Sequence, residues 1–335
     1  MKLFYALCMV ALVGAMPVRA ALADETVTDY NGNKITLKEG VVENKGVKIH
    51  YYTVGAGPVL IISHGNGDYW FGWRNQLAML SKRYTVVLYD LRNFNKSDKA
   101  NGQGSTADIN FEDDLKAVQE KFTNGPAVHM GNDQGGMVLW TYAMRYPEKI
   151  KLLIQSNTIH PRAFVRELSK NEQQAKSSWY IQQFIDDPFK KGLEFERNVM
   201  NPDRPGRVFG SPELEKMWRD AYARTTDKGL QGTVDWYRFN FPATPYKPTD
   251  YAFGYQGADF PHIKSPTLVV EALNDSALRP GGYDQLGTWI DADFTLVTWP
   301  QGDHFQNANQ PEKFNTLIGK WLDANDDQSL PRLIP

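Results

Sequence analysis

The feature that most restricts the fold of this chain is a regular alternation of short apolar runs with helix-like stretches. Four runs are almost entirely apolar: "GPVLIISHG", "YTVVLYD", "PAVHMGND" and "IKLLIQSN". Such runs are typical of strands that are buried on both faces of a parallel sheet. Stretches with a helical pattern, such as "WRNQLAMLSKR" and "NFEDDLKAVQEKF", lie between them. The alternation predicts an open, doubly wound, mostly parallel α/β sheet with helices on both faces.

This alternation is interrupted from residue 160 to residue 257, where the chain is polar, helical in pattern and rich in aromatic residues and proline. The strand pattern resumes at "SPTLVVEALND" and "FTLVTWPQGDH", and a last helix is predicted at "QPEKFNTLIGKWLDA". An insertion after the sixth strand lies over the carboxyl edge of such a sheet, where α/β proteins bind ligands. We therefore predict a core domain of residues 24–159 and 258–335, and a helical cap of residues 160–257.

The first 23 residues have the layout of a secretory signal peptide. Lys2 precedes an apolar run that is short for a membrane span, and small residues follow at the sites where signal peptidases cut. We expect cleavage after Ala23, a secreted or periplasmic protein, and no stable membrane anchor; a retained anchor is the alternative. The only cysteine, Cys8, would leave with this segment.

The composition argues against several classes of partner. The chain has 37 Lys and Arg against 39 Asp and Glu, a formal charge of −2, so it offers no electrostatic basis for binding nucleic acid or an anionic membrane. The six histidines are scattered and form no His-Glu-x-x-His pair. We expect neither a metal site nor a cofactor, and the oligomeric state is not readable from the sequence.

The candidate nucleophile is Asp133, in the stretch "GNDQGG" between two apolar runs. A strand, a glycine-rich turn and a helix in this order form the sharp turn that presents a nucleophile at the end of a strand. A carboxylate at this position would form a labile anhydride if it attacked an acyl group. Attack on an sp3 carbon instead gives an alkyl ester. The residue type therefore favours epoxides, alkyl halides and similar electrophiles as substrates.

Two further residues follow in the order expected for a catalytic triad built on this turn. Asp275 ends the strand in "EALND", and His304 lies on the loop before the last helix. His304 would activate the water that hydrolyses the ester, and Asp275 would orient the imidazole. The backbone N–H groups of Asn66, in "HGNG", and of Gln134 are predicted to form the oxyanion hole.

On these motifs the chain resembles the α/β-hydrolase-fold epoxide hydrolases over nearly all of residues 45–325. The matching stretches are "HGNGDYWFGWRNQLAML", "DLRNFNKSD" and "GNDQGG". Two segments of the insertion, "SSWYIQQF" and "GTVDWYRFN", are similar to the cap segments that carry the two ring-opening tyrosines of the family. The resemblance implies an α/β-hydrolase fold, opening of an epoxide to a vicinal diol, and a proton-donating role for Tyr180 and Tyr237. A phenol is a workable acid for an alkoxide.

The aromatic residues near these motifs predict an apolar pocket for a small epoxide or alkyl halide. The residues assigned to that pocket are His64, Trp70, Trp179 and Trp236.

Departures from the family pattern leave two alternative functions open. Asn66 stands where an aromatic residue is usual, and "HGNG" is similar to the His-Gly-Asn-Pro of haloalkane dehalogenases, whose asparagine binds halide. A dehalogenase with Asp133 as nucleophile and Asn66 as halide ligand is therefore the first alternative, although Gln134 stands where the second halide donor, a tryptophan, is usual. The second is an exported hydrolase-like binding protein with a silent site, against which the complete Asp-Asp-His set argues.

The resemblance also bears on the acid of the triad. Secreted bacterial epoxide hydrolases of the virulence-factor type carry a glutamate after the sixth strand. Ser156 occupies that position in this chain, so Asp275 is the expected acid.

Overall fold

The computed structural model describes residues 23–248, 250–255 and 260–334, so the predicted leader before Ala23 lies outside the described residues. Nine strands are present in the described part of the chain. They are β1 (Glu25–Thr28), β2 (Lys34–Asn44), β3 (Val47–Val54), β4 (Val59–Ser63), β5 (Thr85–Tyr89), β6 (Ala127–Asn132), β7 (Ile150–Ser156), β8 (Thr267–Ala272) and β9 (Phe294–Trp299).

The strands form one sheet in the order β1-β2-β3-β5-β4-β6-β7-β8-β9. The pairs from β5 to β9 are parallel, and the three pairs from β1 to β5 are antiparallel. All residues of β6 and β8 are buried, as expected for apolar runs covered on both faces. The doubly wound, mostly parallel α/β sheet predicted from the sequence is therefore confirmed.

The segment before β3 forms the antiparallel pair β1–β2 at one edge of the sheet, with Glu25 opposite Leu37. Counted with this short edge strand, the insertion follows the seventh strand; without β1, it follows the sixth.

The helices are α1 (Arg74–Leu80), α2 (Gln103–Thr106), α3 (Asp108–Phe122), α4 (Asp133–Arg145), α5 (Pro161–Lys170), α6 (Glu172–Ser177), α7 (Trp179–Asp186), α8 (Leu193–Met200), α9 (Pro212–Asn240), α10 (Gln306–Asn309) and α11 (Pro311–Asn325). Short 3-10 turns cover Trp70–Trp73, Pro147–Lys149, Pro280–Tyr283 and Leu286–Trp289, and a π turn covers Pro188–Gly192. None of the helices that the structure describes combines the length and apolarity that crossing a bilayer requires.

The connections place helices on both faces of the sheet. The chain passes from β4 through α1 to β5 in one direction, and then through α3 to β6 in the other. Right-handed crossovers in opposite directions lie on opposite faces. In agreement, α1 contacts α11 and α3 contacts α4. The direction changes at β4, and α/β sheets bind ligands at the carboxyl edge beside such a switch point.

The insertion between β7 and β8 holds helices α5 to α9 of the described chain. The longest, α9, is broken at Thr226, whose φ of 59° lies in the left-handed region. Its second half carries Tyr237, and α7 carries Tyr180. The helices of the predicted cap thus bring both candidate tyrosines to the carboxyl edge of the sheet, where they share a cavity with Asp133.

Candidate active site

Asp133 is the first residue of α4 and directly follows β6. Its φ of 48° is in the left-handed region, which is costly for a residue with a side chain and is frequent at functional sites. The turn also brings its backbone very close to the end of β4. A Cβ atom added to Gly135 would lie 2.3 Å from the carbonyl oxygen of His64, so only glycine fits there. The sharp turn expected from "GNDQGG" is present.

The side chains of Asp133, His304 and Asp275 form one hydrogen-bonded line. Nε2 of His304 lies 3.2 Å from Oδ2 of Asp133, and Nδ1 of His304 lies 2.7 Å from Oδ2 of Asp275. The other oxygen of Asp275 accepts the backbone N–H groups of Ala277 and Leu278 at 2.7 and 3.0 Å. Residues far apart in the chain are thus brought together in the geometry of a nucleophile, a base and an orienting acid.

The electrostatics of this line favour a charged imidazole. Burial alone would lower the pKa of His304, but the charge of Asp275 and the hydrogen bonds to Asp133 and Asp275 outweigh it and raise the pKa well above its usual value. Burial likewise opposes ionisation of Asp275, yet the charge of His304 and the donated N–H groups lower its pKa. His304 therefore carries a proton in the resting site.

One half of the predicted oxyanion hole is in contact with the nucleophile. The backbone N–H of Asn66 donates to Oδ1 of Asp133 over 2.6 Å. Gln134, the other predicted donor, is buried and lines the same cavity as Asp133. Oδ1 is therefore held by the protein, whereas Oδ2 faces His304.

The two tyrosines of the insertion lie across the cavity from this carboxylate. Tyr180 and Tyr237 line the cavity together with Asp133, and their ring centroids are 5.8 Å apart in an edge-to-face arrangement. Burial, followed by the charge of Asp133, raises the pKa of both hydroxyls well above the ordinary value. Both phenols are therefore protonated in the resting site and able to donate a hydrogen bond.

The cavity between the tyrosines and Asp133 has a volume of about 20 Å³, room for about one water molecule. Apart from these residues its wall is mostly apolar: Met137, Ile159, Phe164, Trp236, Phe241 and Leu278. A larger cleft of about 630 Å³ lies beside Gly67 and Phe305, but no residue of the Asp133–His304–Asp275 line is part of its wall. A substrate larger than water requires the cap helices or these side chains to move.

Three of the four residues predicted to line the pocket lie elsewhere, and only Trp236 lines it. His64 is buried below the turn, where its two ring nitrogens contact the backbone of Gly65 and Leu91. Trp70 is also buried, and its ring stacks on Tyr52 with 4.2 Å between centroids. Trp179 is 54% exposed on the outer side of α7. Proximity in sequence to a functional residue did not fix the direction of these side chains.

One residue at the site was missed in the sequence. Glu196 of α8 is fully buried, and its Oε2 accepts a hydrogen bond of 3.1 Å from Nδ2 of Asn66. Its neighbours Glu194 and Arg197 are exposed, and nothing in "LEFERNVM" distinguishes the buried carboxyl group from a solvated one.

Within residues 23–248, 250–255 and 260–334, no three His, Cys, Asp or Glu side chains are grouped so that they could hold a metal ion. The chemistry available at this site is that of carboxylates, an imidazole, phenols and backbone N–H groups.

Comparison with known proteins agrees with the fold. The family model described as alpha/beta hydrolase fold matches residues 58–309. The chain therefore belongs to the alpha/beta hydrolase fold family.

Its relatives include proteins named epoxide hydrolases, which confirms the resemblance carried by the motifs. Epoxide hydrolase 4 of Mus musculus is 27% identical over 294 residues, which cover 84% of this chain and 78% of the relative. Epoxide hydrolase 1 of Caenorhabditis elegans is 25% identical over 303 residues, with 84% of this chain and 69% of the relative covered. A crystal structure of an epoxide hydrolase from Bacillus megaterium with an inhibitor matches with a TM-score of 0.75 at 22% identity, covering 85% of this chain and all of the other; this likeness supports the fold.

Proposed function

We propose that the protein is a cofactor-independent epoxide hydrolase that converts a small, largely apolar epoxide to a vicinal diol through an alkyl ester on Asp133. One observation carries the proposal: a carboxylate at a nucleophile turn faces two protonated tyrosines across a mostly apolar cavity, with an imidazole on its other side. The names of the relatives support the same substrate class.

In the first step, Oδ2 of Asp133 attacks an epoxide carbon while Oδ1 stays on the N–H of Asn66. The C–O bond of the ring breaks, and the oxygen that leaves takes a proton from Tyr180 or Tyr237. These hydroxyls stabilise negative charge that develops only in the transition state, so they act on the rate of the step rather than on binding.

In the second step, water attacks the carbonyl carbon of the ester. Alkylation has removed the charge of Asp133, so a main support of the high pKa of His304 is lost and the imidazole gives up its proton. This proton replaces the one that the tyrosine donated. The neutral His304 then takes a proton from water, and the N–H of Asn66 holds the oxyanion. The bond between the carbonyl carbon and the substrate oxygen then breaks, and this oxygen takes the proton of the newly formed carboxyl group. The diol leaves, and the carboxylate and the protonated imidazole are restored.

The halide-binding alternative is less compatible with the surroundings of Asn66. A halide ligand needs a free side-chain N–H, but the Asn66 amide already donates one N–H to Glu196. Assays of diol formation and halide release on a panel of small epoxides and haloalkanes separate the two activities. Halide release without diol formation would identify the protein as a dehalogenase instead. Turnover of neither epoxides nor haloalkanes would favour the binding protein with a silent site.

The covalent step is tested by a single turnover in 18O-labelled water with the enzyme in excess over an epoxide. Because the oxygen delivered to the substrate comes from Asp133, we expect mostly unlabelled diol and label in the peptide that contains Asp133. Mass spectrometry of both the product and the peptide gives the result. Label in the diol of the first turnover would mean that water attacks the epoxide directly, and it would remove Asp133 as the nucleophile.

We also propose that the protein is exported. The proposal rests on the arrangement of residues 1–23, most of which lie outside the described residues. Amino-terminal sequencing of the protein recovered from the periplasm or medium of a bacterial host should begin at Asp24. Protein found only in the cytoplasm with residues 1–23 intact would contradict it.

A further inference from the structure

The catalytic steps above leave one buried carboxyl group of the site without a role. Glu196 lies on α8 with none of its surface exposed, and its Oε2 accepts a hydrogen bond from Nδ2 of Asn66. Its Oε1 is buried without a hydrogen-bond partner in the described part of the chain, which also supplies no lysine or arginine to pair with it. A carboxyl group held in this way is costly to ionise.

The Asn66 side chain connects this group to the ring-opening tyrosine. Its Oδ1 accepts the backbone N–H of Gly67 at 2.8 Å, which fixes the plane of the amide. Its NH₂ group has two hydrogens to donate. One goes to Glu196 over 3.1 Å. The interaction of the Asn66 side chain with Tyr237 acts to lower the pKa of the phenol, which is the effect expected of an N–H directed at the phenol oxygen.

We propose that Glu196 is a positioning residue, a neutral carboxylic acid that holds the Asn66 amide so that its second N–H reaches the hydroxyl of Tyr237. The proposal rests on the proposed function and adds a residue of the cap to it. An N–H on the phenol oxygen makes the phenol a better donor to the leaving oxygen. Through Asn66 the same contact ties α8 to the loop whose backbone N–H holds Asp133.

The surroundings of Glu196 favour the neutral form. Burial, and after it the charge of Asp133, raises the pKa of Glu196 to about 8, against the opposing effect of the hydrogen bond from Asn66. The other titratable groups that interact with it are phenols, which bring no positive charge. They are Tyr69 from the loop after β4, Tyr180 from α7, and Tyr222 and Tyr237 from α9.

The neutral form of Glu196 matters because negative charge develops on an oxygen near Asn66 in both catalytic steps. Ring opening places it on the oxygen facing Tyr237, and ester hydrolysis places it on the oxygen held by the Asn66 N–H. An ionised Glu196 would disfavour both transition states. Whichever step limits the rate, turnover should therefore fall as Glu196 loses its proton.

The proposal is tested with purified full-length variants on an aryl epoxide that the wild-type protein hydrolyses. We expect E196A to lower kcat by about 10-fold or more while KM changes little, since the effect is on the transition state. The amide oxygen of E196Q accepts the same hydrogen bond without a charge, so this variant should recover most of the lost kcat. E194Q, an exposed change on the same helix, is the matched control.

The pH profile separates positioning from a purely structural role. The kcat/KM of the wild-type protein, which reports the free enzyme, should decline above a pH of about 8, and E196Q should lack this decline. A decline of the same size in E196Q, or a wild-type kcat/KM that does not decline, would overturn the neutral-acid role, and full kcat in E196A would overturn positioning. If E196A does not fold, the E196Q profile still decides. A wild-type protein that opens no epoxide at all contradicts the proposed function instead.

Discussion

Replacing His304 with glutamine should trap the protein as an alkyl ester at Asp133. The imidazole is needed to activate water in the second step, whereas the attack of Asp133 depends on its own charge and on the tyrosines. Glutamine fills a similar space and cannot take the proton. We expect steady-state turnover to fall by about 10³-fold or more, as when members of other triads are removed. Intact-protein mass spectrometry should show one added epoxide mass per chain.

Peptide mapping should locate this mass at Asp133. The double variant D133N/H304Q provides the control, because it retains the changed histidine but has no nucleophile, and it should acquire no adduct. An unmodified H304Q protein, incubated with an epoxide that the wild-type protein turns over, would exclude His304 from ester hydrolysis.

Changing both cavity tyrosines to phenylalanine should nearly abolish ring opening. Removing one donor to a developing oxyanion typically costs about 10²- to 10³-fold in kcat, and in Y180F/Y237F the leaving oxygen has lost both phenols. Since the rings remain, the apolar wall is kept and KM should change little. Y237F alone should be strongly impaired, because it removes the hydroxyl whose pKa Asn66 acts to lower.

Y222F is the matched control, a loss of one hydroxyl on the same helix α9, outside the wall of the cavity. Rapid mixing gives the rate of ring opening, and steady-state diol formation gives kcat and KM. Near-normal epoxide turnover by Y180F/Y237F would mean that another group protonates the leaving oxygen.

The sequence carried enough information to predict the sheet and the Asp133–His304–Asp275 line because both depend on local patterns. Buried strands require apolar runs, and the nucleophile turn requires glycines where the backbones meet, as at Gly135. Asp133, Asp275 and His304 follow β6, β8 and β9, so their order in the chain is the order of these strands.

The cap was harder to predict from the sequence, because its contacts join residues that are far apart in the chain. Trp179 and Tyr180 are adjacent in the chain, yet Trp179 is exposed and Tyr180 faces the cavity, because successive residues of a helix point in different directions. Glu196 is buried only because α8 packs against a loop 130 residues earlier, where Asn66 meets it. The alternation of polar and apolar residues in α8 does not predict this contact.

The small volume of the cavity limits which nucleophiles can reach the alkyl ester on Asp133. With room for about one water molecule between the tyrosines and Asp133, a site that closes again over the ester admits water and excludes larger alcohols, amines and thiols by size. An alkyl ester is open to attack by any of these in free solution. The small volume of the cavity therefore favours hydrolysis of the ester over its transfer to another acceptor. This preference does not depend on how strongly His304 activates the nucleophile.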